Sequence, residues 1–402
     1  MAIQSGMRAT QFDVLIAGGG LVGLSLGRAL AGSGLRLGLV ERDPVPAPSP
    51  ETWDVRVFAI SPGSEAFLTA LGAWPRDAAR MTPITHMSIF GDRAGSELSF
   101  SAYLAHVPHL AIVVENAALV GELRDALRGQ PEFAHIASTG CSGVQFEPDR
   151  AVLTLDSGDQ LTAKLMVAAD GADSWLRGRA GIASSQTGYG QTAVVANFAT
   201  ALAHRGSAFQ WFRTDGVLAL LPLPGERASM VWSARQDLAD RLLALPAEQL
   251  CDEVHAASGG RLGALSLITP AAGFVLRLIR VDRLVAPRLA LVGDAAHNLH
   301  PLAGQGVNLG FQDARELASV LKARGPEADV GCLPLLRRYE RARREDILAM
   351  TAVTHGLQRL FNNSVAPLAW LRNVGLSLTD HLTPLKALLV KHALGAEPIQ
   401  QR

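Results

Sequence analysis

The first residues with a chemical signature are the glycines of Gly18-Gly-Gly-Leu-Val-Gly23. Glycines at this GxGxxG spacing let the chain turn sharply, bring its backbone against a pyrophosphate and pack a helix close to a strand. Glu41 lies 18 residues beyond Gly23, where a carboxylate can accept hydrogen bonds from both hydroxyls of an adenosine ribose. The pattern predicts a dinucleotide site built by Gly18, Gly20, Gly23 and Glu41.

Such a site needs a strand, a helix and a second strand in that order. Phe12–Ala17 is a short apolar run of the buried parallel type, residues 24–32 have the apolar spacing of a helix, and residues 35–40 form a second apolar run. The N-terminus of the intervening helix would direct unpaired N–H groups and a positive dipole end at the phosphates. The segment therefore predicts a Rossmann βαβ unit.

Two later segments place polar residues directly after predicted strands. Asp170-Gly171 follows the apolar run 161–168, and Gly293-Asp294-Ala-Ala-His297 follows a second one. Together with the GxGxxG segment, they resemble the three fingerprints of the flavoprotein aromatic hydroxylases built like p-hydroxybenzoate hydroxylase.

The residues around the third fingerprint are more specific. The run 292–310, which includes Asn-Leu-His-Pro-Leu-Ala-Gly-Gln-Gly-Val-Asn, is similar to the ubiquinone-biosynthesis hydroxylases. Further matches to that family cover essentially the whole chain: Asp54-Val-Arg56 with Ser61, Val114-Glu-Asn116, Tyr189-Gly-Gln191 and the tail 357–395.

The resemblance implies FAD as cofactor. An aspartate placed as Asp294 is would bond a ribityl hydroxyl, and a helix starting near Gly306 would direct N–H groups at the flavin edge where negative charge collects on reduction. The further FAD-binding residues that it implies are Arg42, Arg56, Asn116, Asp170, Gly171, Gly293, Pro301, Gly304, Gln305 and Asn308.

Several of these residues have a second interpretation. Arg42 could be a solvated surface arginine instead of a phosphate contact, and Asp170 could cap a helix. His297 and His300 could suggest a metal, but no third ligand stands at suitable spacing, so we expect no metal site and interpret both as structural or flavin-neighbouring.

The implied fold class is α/β: a Rossmann-type FAD-binding domain like that of p-hydroxybenzoate hydroxylase, an inserted antiparallel-sheet substrate domain and a C-terminal helical segment. Residues 144–155 read as one strand, and alternating apolar runs between 192 and 233 predict the inserted sheet. The expected FAD-binding domain comprises 1–80, 101–180 and 275–330, the substrate domain 81–100 and 181–274, and the C-terminal helical region 331–402.

The implied reaction is hydroxylation of a polyprenylated phenol with one oxygen atom of O2, through a C4a-hydroperoxyflavin. A second GxGxxG fingerprint is absent, so NAD(P)H would bind transiently at the FAD domain to reduce FAD, as the resemblance implies, or a separate reductase would supply the electrons. The resemblance leaves open another aromatic substrate, reduction of a prenyl chain, or an FAD-bound assembly subunit of a quinone-biosynthesis complex.

A hydroperoxide of this kind decays in water, so a mostly apolar substrate pocket is expected. Tyr189 is offered as a contact to the substrate phenol. The apolar residues of the inserted sheet could line the pocket or could simply form its core: Phe209, Trp211, Phe212, Leu218, Leu220, Leu221 and Leu223.

Composition limits the classes of partner and the cellular location that the sequence allows. The chain has 402 residues and a formal net charge of zero, which argues against nucleic acid as a partner. The three cysteines, Cys141, Cys251 and Cys332, form no CxxC pair and are expected to be reduced thiols. No signal peptide and no apolar run of about 20 residues is present, which predicts a cytoplasmic protein.

The C-terminal segment has its own alternatives. Residues 347–360 and 367–394 carry apolar stripes, with Arg359, Arg372, Lys386 and Lys391 among them. These helices could contact the inner membrane peripherally, could form a homo-oligomer contact, or could pack on their own FAD domain.

Overall fold

The computed structural model describes residues 10–44, 52–91, 97–299, 305–325 and 327–361; of residues 10, 305 and 353–361 it describes the backbone alone. The predicted positions Pro301 and Gly304, together with His300 and the segment 367–394, lie outside the described residues.

The strands are numbered in chain order. The first eleven are β1 Thr10–Ala17, β2 Leu37–Glu41, β3 Val57–Ile60, β4 Met81–Ile84, β5 His86–Phe90, β6 Glu97–Ser101, β7 Ala111–Glu115, β8 Phe133–Ala137, β9 Cys141–Phe146, β10 Ala151–Leu155 and β11 Gln160–Ala168. The others are β12 Ser184–Thr200, β13 Ser207–Arg213, β14 Gly216–Leu223, β15 Arg227–Arg235, β16 Leu265–Leu267, β17 Ala272–Val281, β18 Val285–Ala286, β19 Leu289–Leu291 and β20 His297–Asn298.

The helices are numbered in the same way. They are α1 Leu21–Leu30, α2 Pro62–Ala70, α3 Asn116–Leu127, α4 Trp175–Arg179, α5 Gln236–Ala244, α6 Ala247–Ala257, α7 Gln305–Lys322 and α8 Leu333–Phe361. None of the described helices is both long and apolar enough to cross a membrane.

The first sheet has the order β18-β19-β11-β1-β2-β8, with β19, β11, β1, β2 and β8 parallel. All five residues of β2 are buried, as expected for a parallel strand covered on both faces. Helices α1, α3, α7 and α8 contribute to one continuous core with this sheet, through residues such as Leu26, Leu123, Leu317 and Tyr339. The predicted Rossmann βαβ unit is confirmed.

The prediction of a single strand over residues 144–155 is wrong. The segment consists of two antiparallel strands, β9 and β10, joined by a turn in which Glu147 N donates to Arg150 O at 2.8 Å. The sequence of the turn is Glu-Pro-Asp-Arg, and Pro148 lacks the N–H that a continuous strand needs there.

The second sheet has the order β20-β17-β12-β15-β14-β13-β5-β6. It is antiparallel apart from the parallel pair of β13 with β5. Strands from 86–101 and 184–281 therefore share one sheet, which β20 joins at its edge. Strand β4, which the predicted substrate domain includes, pairs instead with β7 in a small third sheet. The exact domain boundaries stay a prediction.

The two faces of the second sheet have different neighbours. Its outer face carries Phe209, Leu218, Leu220 and Trp232 and packs under helices α5 and α6. Its inner face carries Leu221 and Leu223, which pack with Val57 of β3 and Val113 of β7, strands of the small third sheet β3-β7-β4.

Candidate functional site

The GxGxxG turn has the geometry that a bound pyrophosphate requires. Gly18 has φ +116°, and a Cβ there would lie 2.1 Å from the carbonyl oxygen of Ala169. A Cβ on Gly23 would lie 2.0 Å from the oxygen of Gly18, so α1 approaches the strand only because glycine stands there. A Cβ on Gly20 would meet nothing within 4 Å, so this part of the turn faces open space.

Glu41 lies directly beneath this turn. It is buried, with Oε1 accepting from Arg124 Nη2 at 2.7 Å and Oε2 from His135 Nε2 at 2.8 Å. Burial alone would raise the pKa of Glu41, but His135 and Arg124 outweigh it and lower that pKa. Each oxygen keeps a further lone pair, so the anionic carboxylate can still accept from ribose hydroxyls.

The predicted FAD contacts Arg56 and Asn116 are adjacent in the structure. Asn116 N donates to the Arg56 carbonyl oxygen at 3.0 Å, and Arg56 N donates to Asp54 Oδ1 at 2.9 Å. The Arg56 side chain is exposed, whereas Asn116 is buried and its Nδ2 has no hydrogen-bond partner among the described residues. An orphaned buried amide is the kind of group that a bound cofactor satisfies.

The loop that carries Arg56 is held by a buried ion pair that the sequence did not reveal. Glu115 Oε1 accepts from Asp54 N at 2.6 Å, and its Oε2 accepts from Arg80 Nε at 2.7 Å. Asp54 Oδ2 in turn accepts from Ala117 N in the first turn of α3. Glu115 and Arg80 therefore fix the loop and the start of α3 as one unit.

The geometry of Arg42 and of Asp170 matches the second interpretation of each. Arg42 is 76% exposed and pairs with its neighbour Asp43. Asp170 accepts from Ser174 Oγ at 2.5 Å and from Leu176 N at 3.0 Å, and thus caps α4, while Gly171 has φ +82°. The FAD contacts of these three residues stay predictions.

The turn after β19 carries Gly293 and Asp294. The Asp294 side chain is accessible to solvent, yet the protein around it desolvates it enough to raise the pKa of its carboxyl, although His297 and Asn298 act in the opposite direction. Asp294 thus stands exposed in the turn directly after β19, a suitable place for a carboxyl group that binds a cofactor hydroxyl.

Helix α7 begins at Gln305, close to the predicted start, and Gly306 follows in its first turn. Asn308 Nδ2 donates to Ala59 O at 2.9 Å, and its Oδ1 accepts from Ser61 N at 2.9 Å. Asn308 therefore fastens the beginning of α7 to the end of β3.

His297 is hydrogen-bonded to a buried carboxylate. Its Nε2 lies 2.6 Å from Asp313 Oδ2, and Asp313 Oδ1 accepts from Arg343 Nε at 2.8 Å. No group of three or more metal-ligating side chains occurs among the described residues. Arg343 was not predicted from the sequence. It stands on the buried stripe of α8 with Leu336 and Tyr339, and a charged residue is unusual at such a position.

Tyr189 lies on the long strand β12, beside the register shift between Gly188 and Gln191. Its ring packs in a small apolar cluster with Leu278, Leu299 and Leu309 and with two residues of α8. The structure thus places Tyr189 next to the turn that bears His297, and its contact with the substrate stays a prediction.

The inner face of the second sheet contains a row of small and apolar side chains with one amide among them. Gln210 of β13 lies between Ile89 of β5 and Ala219 of β14, and Val231 follows in the same row. Gln210 is 6% exposed, an unusual burial for an amide side chain. Because Ala219 and Val231 remain partly accessible in the middle of a sheet, this face borders a recess.

For four of the seven apolar residues, the structure favours the core alternative over the pocket alternative. Successive side chains of a strand point to opposite faces, and helices α5 and α6 cover one of the two faces. The four residues on or against that covered face, which belong to the core, are Phe209, Trp211, Leu218 and Leu220. The inner face carries the other three, Phe212, Leu221 and Leu223.

The cysteines are all free in the structure. Burial raises the pKa of Cys141 to about 11 and also raises the pKa of Cys251. Both therefore remain protonated near neutral pH, which disfavours a catalytic thiolate.

Comparison with known proteins links this geometry to one family. The family described as FAD binding domain matches residues 11–354. The ubiquinone hydroxylase UbiL of Rhodospirillum rubrum is 37% identical over 384 residues, which cover 95% of this chain and 89% of that protein. The 3-demethoxyubiquinol 3-hydroxylase of Escherichia coli is 34% identical over 388 residues, with 95% and 98% covered.

Solved structures show the same fold. The p-nitrophenol 4-monooxygenase PnpA of Pseudomonas putida superposes with a TM-score of 0.78 at 18% identity, covering 98% of this chain and 100% of that chain. A variant of HpxO from Klebsiella pneumoniae, in complex with FAD, has a TM-score of 0.74 at 18% identity, covering 95% of this chain and 99% of that chain.

Proposed function

The chain belongs to the family with this FAD binding domain and is a flavin-dependent monooxygenase, and from that premise we propose that it hydroxylates a polyprenylated phenol in ubiquinone biosynthesis. The observation that carries the proposal is similarity over nearly the whole chain to relatives that are named as ubiquinone hydroxylases. The overall reaction consumes one ring C–H, O2, NAD(P)H and a proton, and forms C–OH, water and NAD(P)+.

FAD, when bound, supplies the redox chemistry between NAD(P)H and O2. Glu41 would hold its ribose, and Asp294 its ribityl chain. The open space at Gly20 and the unpaired amide of Asn116 fit the same cofactor. The N-terminal turn of α7, at Gln305 and Gly306, would place backbone N–H groups where the reduced ring collects charge.

The substrate ring would occupy the recess on the inner face of the second sheet. Ala219 and Val231 leave room for a flat ring and keep water away, which protects the oxygen-transfer step. Gln210 would bind a polar substituent of the ring, because its amide is the one polar side chain among the four residues of that row. Tyr189 remains our proposed contact to the phenol oxygen.

NAD(P)H is the proposed electron donor. The only GxGxxG segment serves FAD, so the nicotinamide nucleotide would bind transiently at the FAD domain. A prenylated substrate resides in a membrane, so we also propose peripheral contact of a cytoplasmic protein with the inner membrane, with membership in a quinone-biosynthesis complex or a homo-oligomer as further expectations.

The deciding experiment deletes the gene in its host and measures quinone intermediates by mass spectrometry. An accumulated prenylphenol that lacks one hydroxyl group supports the proposal and identifies the ring carbon. The strain is complemented with the wild-type protein and with Gly20→Trp, which fills the space at the pyrophosphate turn. Restoration by the folded but FAD-free variant would instead indicate an assembly subunit, and an unchanged quinone pool would point to another aromatic substrate.

A further inference from the structure

Three donors converge on the buried carboxylate of Asp313. Its Oδ1 accepts from Arg343 Nε at 2.8 Å. Its Oδ2 accepts from Gly293 N at 2.9 Å and from His297 Nε2 at 2.6 Å. Asp313, His297 and Arg343 are all at least 96% buried, so solvent cannot replace any of these bonds.

The two bonds to Oδ2 hold both ends of one turn. Gly293 begins the turn and His297 ends it, and Asp294 stands between them. Asp313 belongs to α7 and Arg343 to α8, so the position of Asp294 depends on two helices outside the turn. A third bond, from Tyr339 OH to Leu291 O at 2.8 Å, ties α8 to the strand just before the turn.

Both oxygens of Asp313 face donors, so a proton on either oxygen would oppose an N–H group, and the network favours the ionised carboxylate. Burial alone would raise the pKa of Asp313, but His297 and Arg343 hold that pKa below its ordinary value. Without the guanidinium of Arg343, the carboxylate would be a buried charge held only by Gly293 N and His297 Nε2, and it would protonate or draw the turn out of position.

We propose that Arg343 is a positioning residue for FAD. Through Asp313 it fixes the turn Gly293–His297 and thereby holds Asp294 in position for the cofactor. The helix α8 is thus a part of the cofactor site, although the fingerprint motifs all precede it. The inference rests on the FAD-binding family and not on the substrate proposed above.

The test compares Arg343→Met and Arg343→Lys with two controls. Arg344→Met removes the neighbouring exposed arginine, and Asp346→Asn removes only the outer partner of Arg343, which is 60% exposed. For each protein, FAD is removed, the apoprotein is titrated with FAD by flavin fluorescence, and the midpoint potential and visible spectrum of the bound flavin are recorded. The melting temperature of the apoprotein is measured in parallel.

We expect Arg343→Met to weaken FAD binding by at least about tenfold and to move the potential, because small misplacements of a positioning group have large effects. Arg343→Lys keeps the positive charge, so it should recover part of the FAD affinity and part of the wild-type midpoint potential. The two control variants should bind FAD with a dissociation constant within about twofold of the wild-type value, since exposed charges contribute little. Their midpoint potential should match that of wild type.

A purely structural role gives a different result. The apoprotein would melt at a lower temperature, while FAD affinity and midpoint potential of the folded fraction stay at wild-type values, and this outcome overturns the proposal. If Arg343→Met does not fold, the same two measurements on Arg343→Lys decide, and wild-type values there overturn it equally.

Discussion

Asn197 Nδ2 donates a hydrogen bond to the backbone oxygen of Asp54 at 2.9 Å. Asn197 stands on β12 in the second sheet, and Asp54 begins the loop that carries Arg56. The bond therefore joins the sheet that we assign to the substrate with a loop that we assign to FAD. Asn197 is completely buried, so its Nδ2 donor cannot exchange this partner for water.

Replacement of Asn197 tests the contact between the second sheet and the loop that carries Arg56. Asn197→Ala leaves the Asp54 oxygen unpaired, and we expect a loss of about 1–3 kcal/mol of unfolding free energy. We also expect NAD(P)H oxidation to become less tightly coupled to product. Ser229, directly opposite on β15, is the control: its buried Oγ has no hydrogen-bond partner in the described part of the chain, so Ser229→Ala should not lower the melting temperature. Equal losses in both variants would contradict the special role of Asn197.

Gln210 is predicted to determine the affinity for the substrate ring. Gln210→Leu removes the amide in the inner row and should raise KM for the phenol by about 5- to 100-fold, the range of a lost buried hydrogen bond. Steady-state kinetics over a range of phenol concentrations measure this change. FAD content should not change. Gln145→Leu, an exposed glutamine on β9, serves as the matched control. An unchanged KM in the Gln210 variant would remove Gln210 from the substrate site.

Tyr189 is predicted to contact the substrate phenol. Tyr189→Phe keeps the ring in its apolar cluster and removes only the hydroxyl, so it should uncouple NAD(P)H oxidation from hydroxylation. The ratio of product formed to NAD(P)H consumed measures this effect. Tyr103→Phe, at a tyrosine that is 84% exposed, should leave the ratio unchanged. Wild-type coupling in Tyr189→Phe would refute the contact.

Glu41 is predicted to bind the adenosine ribose as an anion. Glu41→Gln removes the charge beside Arg124 and His135, and FAD should bind about 10- to 100-fold more weakly, the scale of a lost charge-assisted bond. Equilibrium titration of the apoprotein gives this constant. Glu147→Gln, at a surface pair with Arg150, should bind FAD normally. Similar FAD affinities for the two variants would contradict the assignment.

Asp313 makes stability depend on pH in the acid range. Its pKa in the folded protein is lowered, so the unfolded chain binds a proton more readily and stability falls as pH drops below about 5. Asp313→Asn should be less stable near pH 7 by about 3–5 kcal/mol, the range for breaking a buried ion pair. Between about pH 5 and pH 2 it should lose less stability than wild type, as urea unfolding at several pH values will show. A parallel acid dependence in both proteins would argue against this linkage.

Local sequence determined the cofactor unit. Gly18, Gly23 and Glu41 could be assigned because a strand, a turn, a helix and a strand follow one another within a short stretch, and each residue type has a steric or charge reason to stand there. The start of α7 near Gly306 was predictable for the same reason, since small residues precede an apolar helical spacing.

Tertiary structure decided which distant residues meet. Asn308 bonds Ser61 across 247 positions, and Arg343 reaches Asp313 across 30, and no local pattern encodes either pairing. The choice between core and recess for Phe209 and Phe212 also depended on the fold. Both residues are apolar members of one strand, and only the covering helices α5 and α6 distinguish its two faces.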